Sequence, residues 1–258
     1  MDLFGDRSPI PARPTGATLM REPTVTTLSL PGLAHVTETA AAPEIPNLVS
    51  GFAAALELST GTHRGLCVRT LGDAAYLVHG LDRNGAALNA CQTAVDLAQR
   101  IRPLPGRSPH GQLPAFDADI RISTGKAVAG EMAGGFEIIG EPAGLLTRLN
   151  ALNAVYGTHL LLDEPTRRAV NDRYPASREI DLIQIRGHAE AFRIFEMMLP
   201  HYLDPGWLPE FSRGYELFFA GLRPQARRIF EHLADEVDDP VSRVLLARCA
   251  GPRRRLGD

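Results

Sequence analysis

The hydrophobic periodicity of the chain alternates between about two and about 3.6 residues, which restricts the fold more than any other feature. Residues 24–30 are rich in β-branched side chains and predict a strand, whereas residues 43–58 carry apolar side chains at helical spacing. Further strands are predicted over residues 65–71, 74–79, 118–124, 127–132, 136–140, 158–162, 180–185 and 191–197, and helices over 86–101, 142–156 and 164–172. There is no strict β-α-β repeat. The pattern therefore predicts an α+β fold with helices packed on one mostly antiparallel sheet.

Both ends of the chain differ in composition from this central region. Residues 1–21 are rich in proline and glycine with little apolar periodicity, so we predict a disordered N-terminal tail. Residues 22–199 form the predicted α+β domain. Residues 200–258 contain a proline-rich linker and then helical stretches over 211–220, 225–234 and 241–249. Three short helices are too small to bury a core alone, so this segment should dock on the main domain or on another chain.

Composition and charge exclude several classes of protein. With 44% hydrophobic and 22% charged residues, the 258-residue chain has an ordinary globular balance. A formal net charge of −3 argues against general nucleic-acid binding, although it leaves room for a nucleotide. No apolar run approaches the length of about 20 residues that spans a bilayer, so we expect no membrane association. The three cysteines form no metal-binding or paired motif and fit a reducing, cytoplasmic location.

Five segments, in order and at plausible spacing, resemble the catalytic domains of class III adenylate and guanylate cyclases. They are residues 27–38 (TLSLPGLAHVTE), 68–74 (VRTLGDA), 122–130 (ISTGKAVAG), 136–149 (FEIIGEPAGLLTRL), and 181–187 (DLIQIRG) with 192–195 (FRIF). The segment 136–149 carries the strongest similarity. The resemblance runs from about residue 23 to residue 198, and the C-terminal helices resemble the helical tail of some bacterial cyclases. It implies a bacterial signalling domain with a ferredoxin-like core.

The resemblance also implies a reaction and a set of site residues. The cyclase reaction is in-line attack of the ribose 3′-hydroxyl on the α-phosphorus, assisted by two divalent metals, a ribose-orienting amide and a cation on the phosphates. Asp73 matches the second metal-binding aspartate, and Arg148 matches the arginine that contacts the phosphates. Arg69 and Glu137 stand at the two base-reading positions, and Arg186 replaces the lysine of the closing hairpin, where it would face phosphate.

Two essential groups of that set are replaced in this chain. Ser29 stands where the first metal-binding aspartate belongs, and a neutral hydroxyl is a poor magnesium ligand compared with a carboxylate. Gly144 stands where the ribose-orienting asparagine belongs. Loss of one preorganised group commonly lowers the rate by about 10²–10³. We therefore predict a degenerate cyclase domain without efficient catalysis and without a cofactor, needing Mg²⁺ or Mn²⁺ only if activity remains.

Three functional hypotheses follow from the resemblance. The first is a regulatory or scaffolding module that binds a signalling protein, and the second is a nucleotide sensor that uses Arg148, Arg69 and Arg186 on phosphates without metal. The third is an active cyclase that makes cyclic nucleotide from ATP or GTP. Nucleotide binding that depends on magnesium, that is independent of it, or that is absent would separate them.

The resemblance also implies a dimer, because class III cyclase domains usually pair head to tail. We expect a homodimer, or a heterodimer with another cyclase-like protein, because a lone chain would expose an apolar face around Leu145, Leu146 and Leu149. The rival expectation is a monomer in which the C-terminal helices cover that face, led by Trp207, Phe211, Phe218 and Phe219.

Overall fold

The computed structural model describes residues 18–20, 23–31, 33, 44–71, 73–80, 85–104, 118–132, 135–170, 173, 177–184, 191–198 and 206–250. The strands are β1 (Thr18–Met20), β2 (Thr24–Ser29), β3 (Leu66–Leu71), β4 (Ala74–His79), β5 (Asp119–Thr124), β6 (Ala127–Met132), β7 (Gly135–Gly140), β8 (Leu160–Asp163), β9 (Ser177–Gln184) and β10 (Ala191–Met197). The helices are α1 (Glu44–Thr62), α2 (Ala86–Ile101), α3 (Glu141–Leu149), α4 (Leu152–Tyr156), α5 (Glu164–Val170), α6 (Leu208–Phe219), α7 (Arg223–Glu236) and α8 (Pro240–Ala250). The predicted α+β class is confirmed.

The chain divides into two compact units, Met1–Thr147 and Arg148–Asp258. The domain boundaries predicted from composition, at residues 21 and 199, stay a prediction.

In the first unit, the strand order β3-β4-β2-β5 places β2 in the middle of an antiparallel sheet. β2 is paired along its whole length, with β4 on one side and β5 on the other. Helix α2 packs on these strands and buries Ala90, Cys91, Ala94 and Leu97 completely. His79 joins the helix to the sheet, because its Nε2 lies 2.8 Å from the hydroxyl of Thr93 on α2. The end of β2 is therefore paired on both edges.

A second, smaller sheet in the same unit corrects two expectations. Strand β6 pairs with β7 on one edge and with β1 on the other, so these strands form a separate sheet instead of joining one common sheet. Residues Thr18–Met20 fall within the segment predicted to be disordered, yet they pair antiparallel with Ala127–Ala129. The remaining residues of that predicted tail, 1–17 and 21, lie outside the described residues. A three-residue strand is too short to show a period, which is why the sequence pattern missed it.

In the second unit, the strand order is β8-β10-β9, again antiparallel. Helix α6 packs on β9, α7 packs on α6, and α8 packs on α7. The C-terminal helices thus dock within this unit, as their small size requires. The helix predicted over residues 142–156 is interrupted by a turn at Asn150 and Ala151, which leaves α3 and α4 as separate helices.

One buried arginine attaches the C-terminal helices to β9. Arg178 places two guanidinium nitrogens on the carboxylate of Asp239, at 2.9 and 2.7 Å, and its Nε on Glu196 at 2.7 Å. The guanidinium also lies 4.2 Å from the ring centre of Phe211 and 4.9 Å from that of Trp207. Salt bridges and aromatic contacts on one side chain therefore connect a strand to the α6 region and to the start of α8.

Candidate functional site

The backbone brings together the two positions that the resemblance assigns to metal-binding carboxylates. Ser29, the last residue of β2, pairs with Ala74 of β4. The next residue, Leu30, donates its backbone N–H to the carbonyl oxygen of Asp73 over 3.0 Å. Asp73 occupies the turn between β3 and β4, and its side chain is exposed. Ser29 and Asp73 are thus neighbours along the backbone at one end of the sheet.

A buried arginine, which the sequence reasoning missed, stands beside Ser29. Arg121 of β5 is 2% exposed, and its two terminal guanidinium nitrogens lie 3.4 and 3.3 Å from the Ser29 hydroxyl oxygen. One of them also lies 3.9 Å from the carboxylate of Asp119. Asp119 is the cross-strand partner of Ser29, and Arg121 is two residues further along the same strand. Alternation along β5 therefore places Asp119 and Arg121 on the face that carries Ser29.

The positive charge of Arg121 is only loosely compensated. Its contacts to Ser29 and Asp119 are longer than a charge-assisted hydrogen bond, which measures about 2.7–2.9 Å. Its Nε has no hydrogen-bond partner among the described residues. Burial lowers the pKa of the guanidinium, whereas the charge of Asp119 and then Tyr76 act in the opposite direction. The site thus holds a fixed cation at the place where the resemblance puts a metal.

The residues present do not fit a two-metal centre. Within the described part of the chain, no group of three or more His, Cys, Asp or Glu side chains could hold a metal ion. The Ser29 hydroxyl offers no negative charge, and the neighbouring Asp119 faces a guanidinium. Hard divalent cations require several oxygen ligands, preferably carboxylates. No catalytic step through bound metal follows from this arrangement.

The other predicted site residues are scattered over several elements. Arg148 is exposed in the last turn of α3 and belongs to the second unit. Glu137 is half-buried on β7, opposite Gly130 of β6. Arg69 pairs with Tyr76 through the backbone of β3. Arg186 lies outside the described residues. The roles of these residues in nucleotide binding stay predictions.

Gly144 lies in the middle of α3 and is exposed. A Cβ atom added there would meet no atom within 4 Å. The glycine is therefore not required by packing, and a larger side chain such as asparagine fits at this position. Crowding therefore does not explain why this position lacks the amide that the resemblance assigns to it.

The apolar face expected around α3 is not exposed. Leu145, Leu146 and Leu149 are 4%, 1% and 1% exposed within the single chain. The expectation that these leucines would drive dimer formation is wrong, because the chain itself buries them. Phe211 and Phe218 of α6 are also buried, whereas Phe219 is 44% exposed. Dimer formation stays a prediction, but these leucines give no reason to expect it.

Solved structures of nucleotidyl cyclase domains share this fold. The guanylyl cyclase Cya2 is 19% identical over 72% of this chain and 95% of that chain, with a TM-score of 0.61. The adenylyl cyclase CyaB from P. aeruginosa is 16% identical over 71% of this chain and 96% of that one, with a TM-score of 0.60. The guanylate cyclase domain of RhGC from Catenaria anguillulae, in complex with GTP, is 13% identical over 70% and 98%, with a TM-score of 0.58. No protein-family model and no curated protein matches the chain.

The chain therefore has the fold of class III nucleotidyl cyclase catalytic domains. The resemblance drawn from the five sequence segments is confirmed at the level of the fold. In the described parts of the chain, none of the helices combines the length and the apolar character that a membrane span requires.

Two glycines of the segment 136–149 should respond oppositely to the same substitution. A Cβ at Gly140, where β7 ends against β6, would lie 2.6 Å from the Cα of Ala127. We expect Gly140→Ala to lower the free energy of unfolding by about 1–3 kcal/mol because the backbone must shift. We expect Gly144→Ala to raise it by about 0.5–1 kcal/mol, because alanine is the better helix former and meets no atom.

Urea denaturation of the two variants beside the unmodified protein measures both changes. Each variant is the matched control for the other, because the chemical change is identical and the positions are separated by three residues. Equal effects of the same sign would contradict the different packing assigned to the two glycines.

Proposed function

We propose that this chain is a catalytically inactive class III cyclase homology domain that acts in signalling as a dimeric regulatory module. In that role it binds a second copy or another cyclase-like protein, or it senses a nucleotide without turning it over. The observation that carries the proposal is the contact between Ser29 and Arg121, because a hydroxyl and a buried cation stand where the cyclase reaction requires a metal-binding carboxylate.

The magnitude of the expected loss supports an inactive protein. A missing preorganised group lowers a rate by about 10²–10³, which is about 3–4 kcal/mol of transition-state stabilisation. Both the metal carboxylate at Ser29 and the ribose-orienting amide at Gly144 are missing, and such losses need not add. Even one of the two losses would therefore lower turnover substantially.

A second candidate function is an active cyclase that converts ATP or GTP to cyclic nucleotide. Asp119 favours it, because this carboxylate is the cross-strand partner of Ser29, while Asp73 lies at the same end of β2 on its other edge. This activity would require Mg²⁺ or Mn²⁺, with Asp73 and Asp119 as the carboxylate ligands. The ion pair of Asp119 with Arg121 opposes this use, because the carboxylate already faces a cation.

Nucleotide binding measured with and without magnesium separates these functions. Equilibrium binding of fluorescent ATP and GTP analogues is followed first in EDTA and then in excess Mg²⁺. Binding that is unchanged by EDTA supports a metal-free sensor, and absence of binding supports a protein-interaction module. Binding that requires Mg²⁺, together with formation of cyclic nucleotide, would show an enzyme and overturn the proposal.

Matched arginine variants locate any binding that is observed. Arg148→Gln should weaken binding of the analogue if Arg148 contacts the phosphates. Arg168→Gln is the control, because Arg168 is 76% exposed on α5 and, among the described residues, its guanidinium pairs only with Glu164.

Sedimentation of the full chain at tens of micromolar tests the dimer.

A further inference from the structure

We propose that Arg121 is a built-in cation that takes the place of the divalent metal beside Ser29 and keeps metal ions out of this end of the sheet. The inference rests on the proposed function in one respect, the assignment of Ser29 to a former metal-binding position. It goes further by naming Arg121 as the residue that excludes metal ions. It also implies that Arg121 must be replaced, together with Ser29, before a metal can bind.

The geometry supports this role because the guanidinium contacts the Ser29 hydroxyl oxygen, at the position where the resemblance expects a metal-binding carboxylate. Both terminal nitrogens of Arg121 lie within 3.4 Å of the Ser29 hydroxyl oxygen. The same guanidinium lies 3.9 Å from the carboxylate of Asp119, the cross-strand partner of Ser29. A divalent ion that used position 29 and Asp119 as ligands would have to share this space with the guanidinium.

Burial makes the exclusion effective. The Arg121 side chain is 3% exposed, so solvent screens its charge far less than that of a surface arginine. An arginine keeps its charge at any pH at which the protein is folded. Positive charges repel most strongly in such a poorly solvated place. The repulsion therefore acts on any cation that approaches the end of β2.

A carboxylate introduced at position 29 should consequently pair with Arg121 instead of creating a metal site. The hydroxyl that it replaces is already within contact distance of both guanidinium nitrogens. A charge-assisted, two-pronged contact between a carboxylate and an arginine is among the strongest polar contacts in proteins. Removal of the guanidinium would take away the positive charge that contacts both position 29 and Asp119.

The test is direct binding of Mn²⁺, followed by electron paramagnetic resonance on the full chain without nucleotide. The unmodified protein and Ser29→Asp should both show no more than background binding. Ser29→Asp combined with Arg121→Gln should bind Mn²⁺ at least tenfold more tightly than Ser29→Asp alone. Adding Asp73→Asn or Asp119→Asn to this pair should remove the gain, which locates the ion at this site.

Ser29→Asp combined with Arg168→Gln is the matched control, because it removes one exposed positive charge far along the sequence. It should behave like Ser29→Asp alone. Circular dichroism and thermal melting establish that each variant is folded. If the glutamine at position 121 prevents folding, Ser29→Asp alone decides, since the proposal requires that this folded variant bind no Mn²⁺ above background.

The proposal is overturned if Ser29→Asp alone binds Mn²⁺ as tightly as the double variant. It is also overturned if the unmodified protein binds Mn²⁺ in a manner that Asp73→Asn abolishes. Neither result depends on nucleotide, product or partner. The proposed function fails on different observations, namely cyclic nucleotide formation or metal-dependent nucleotide binding, so the two failures are distinguishable.

Discussion

Asp239→Ala should lower the free energy of unfolding by about 3–5 kcal/mol, the range measured when one partner of a buried ion pair is removed. Asp239 is 4% exposed and accepts two hydrogen bonds from Arg178. Its carboxylate also accepts the backbone N–H of Ser242 over 2.9 Å, which caps the first turn of α8. The substitution would leave the Arg178 guanidinium buried with Glu196 as its remaining carboxylate partner among the described residues.

Asp239→Asn separates the two roles of this side chain. An asparagine can still accept the Ser242 N–H, because Asn is as good an N-cap residue as Asp. It cannot supply the negative charge to Arg178. The difference in stability between the Asn and Ala variants therefore measures the cap, and the loss that remains in the Asn variant measures the charge pair.

Trp207 provides the measurement. It is the chain's single tryptophan, and its ring centre lies 4.9 Å from the Arg178 guanidinium carbon. Its fluorescence during urea denaturation reports the docking of α6 on β9 directly. The control is Glu164→Ala, which removes an exposed i,i+4 pair with Arg168 and should change stability by less than about 1 kcal/mol. A similarly small effect of Asp239→Ala would contradict the stabilising role of the Arg178 cluster, which consists of Arg178, Asp239 and Glu196.

The strand and helix positions were largely predictable because one face of most elements is buried. α2 and β6 have the predicted bounds, and β2 differs from its prediction by a single residue. Local periodicity fails where a segment is too short or where a break has no sequence signal. β1 has three residues, and the turn at Asn150 and Ala151 contains neither glycine nor proline.

The candidate site was predictable only as far as single strands allow. The resemblance assigned metal-binding positions to Ser29 and Asp73, and their proximity is seen only in the structure, where both fall at the ends of strands that pair. The contact of Arg121 with Ser29 required the register between β2 and β5, which joins residues that are 92 positions apart. Alternation in residues 118–124 indicated that Asp119 and Arg121 share a face. Such alternation is typical of a half-buried strand, whereas Asp119 and Arg121 are both buried.

The buried Arg178 cluster shows the same limit at the other end of the chain. Arg178 and Asp239 are separated by 61 residues, and nothing in either local segment identifies the other. The aromatic residues of α6 were expected to cover α3 in the rival arrangement. Phe211 and Phe218 instead pack against Phe230 of α7, with Phe211 also beside Arg178.

Cyclic nucleotide formation should be undetectable for the unmodified protein and should stay so in the variant Ser29→Asp, Gly144→Asn. Those two substitutions restore the carboxylate and the amide that the resemblance requires, and the open surroundings of Gly144 accept the asparagine. The new carboxylate would nevertheless face Arg121. Adding Arg121→Gln should raise the rate by about 10²–10³, the factor typical of one preorganised charged group.

The measurement is product formed from ATP and from GTP with Mn²⁺ or Mg²⁺, since Arg69 and Glu137 leave the base preference open. Asp73→Ala in the triple variant should abolish the gain, because it removes a second metal carboxylate. Turnover in the variant Ser29→Asp, Gly144→Asn, with Arg121 unchanged, would contradict the role of Arg121. The missing carboxylate and amide would then be the cause of inactivity. Robust turnover of the unmodified protein that Asp73→Ala abolishes would contradict both, since Asp119 would then serve as the carboxylate that Ser29 lacks.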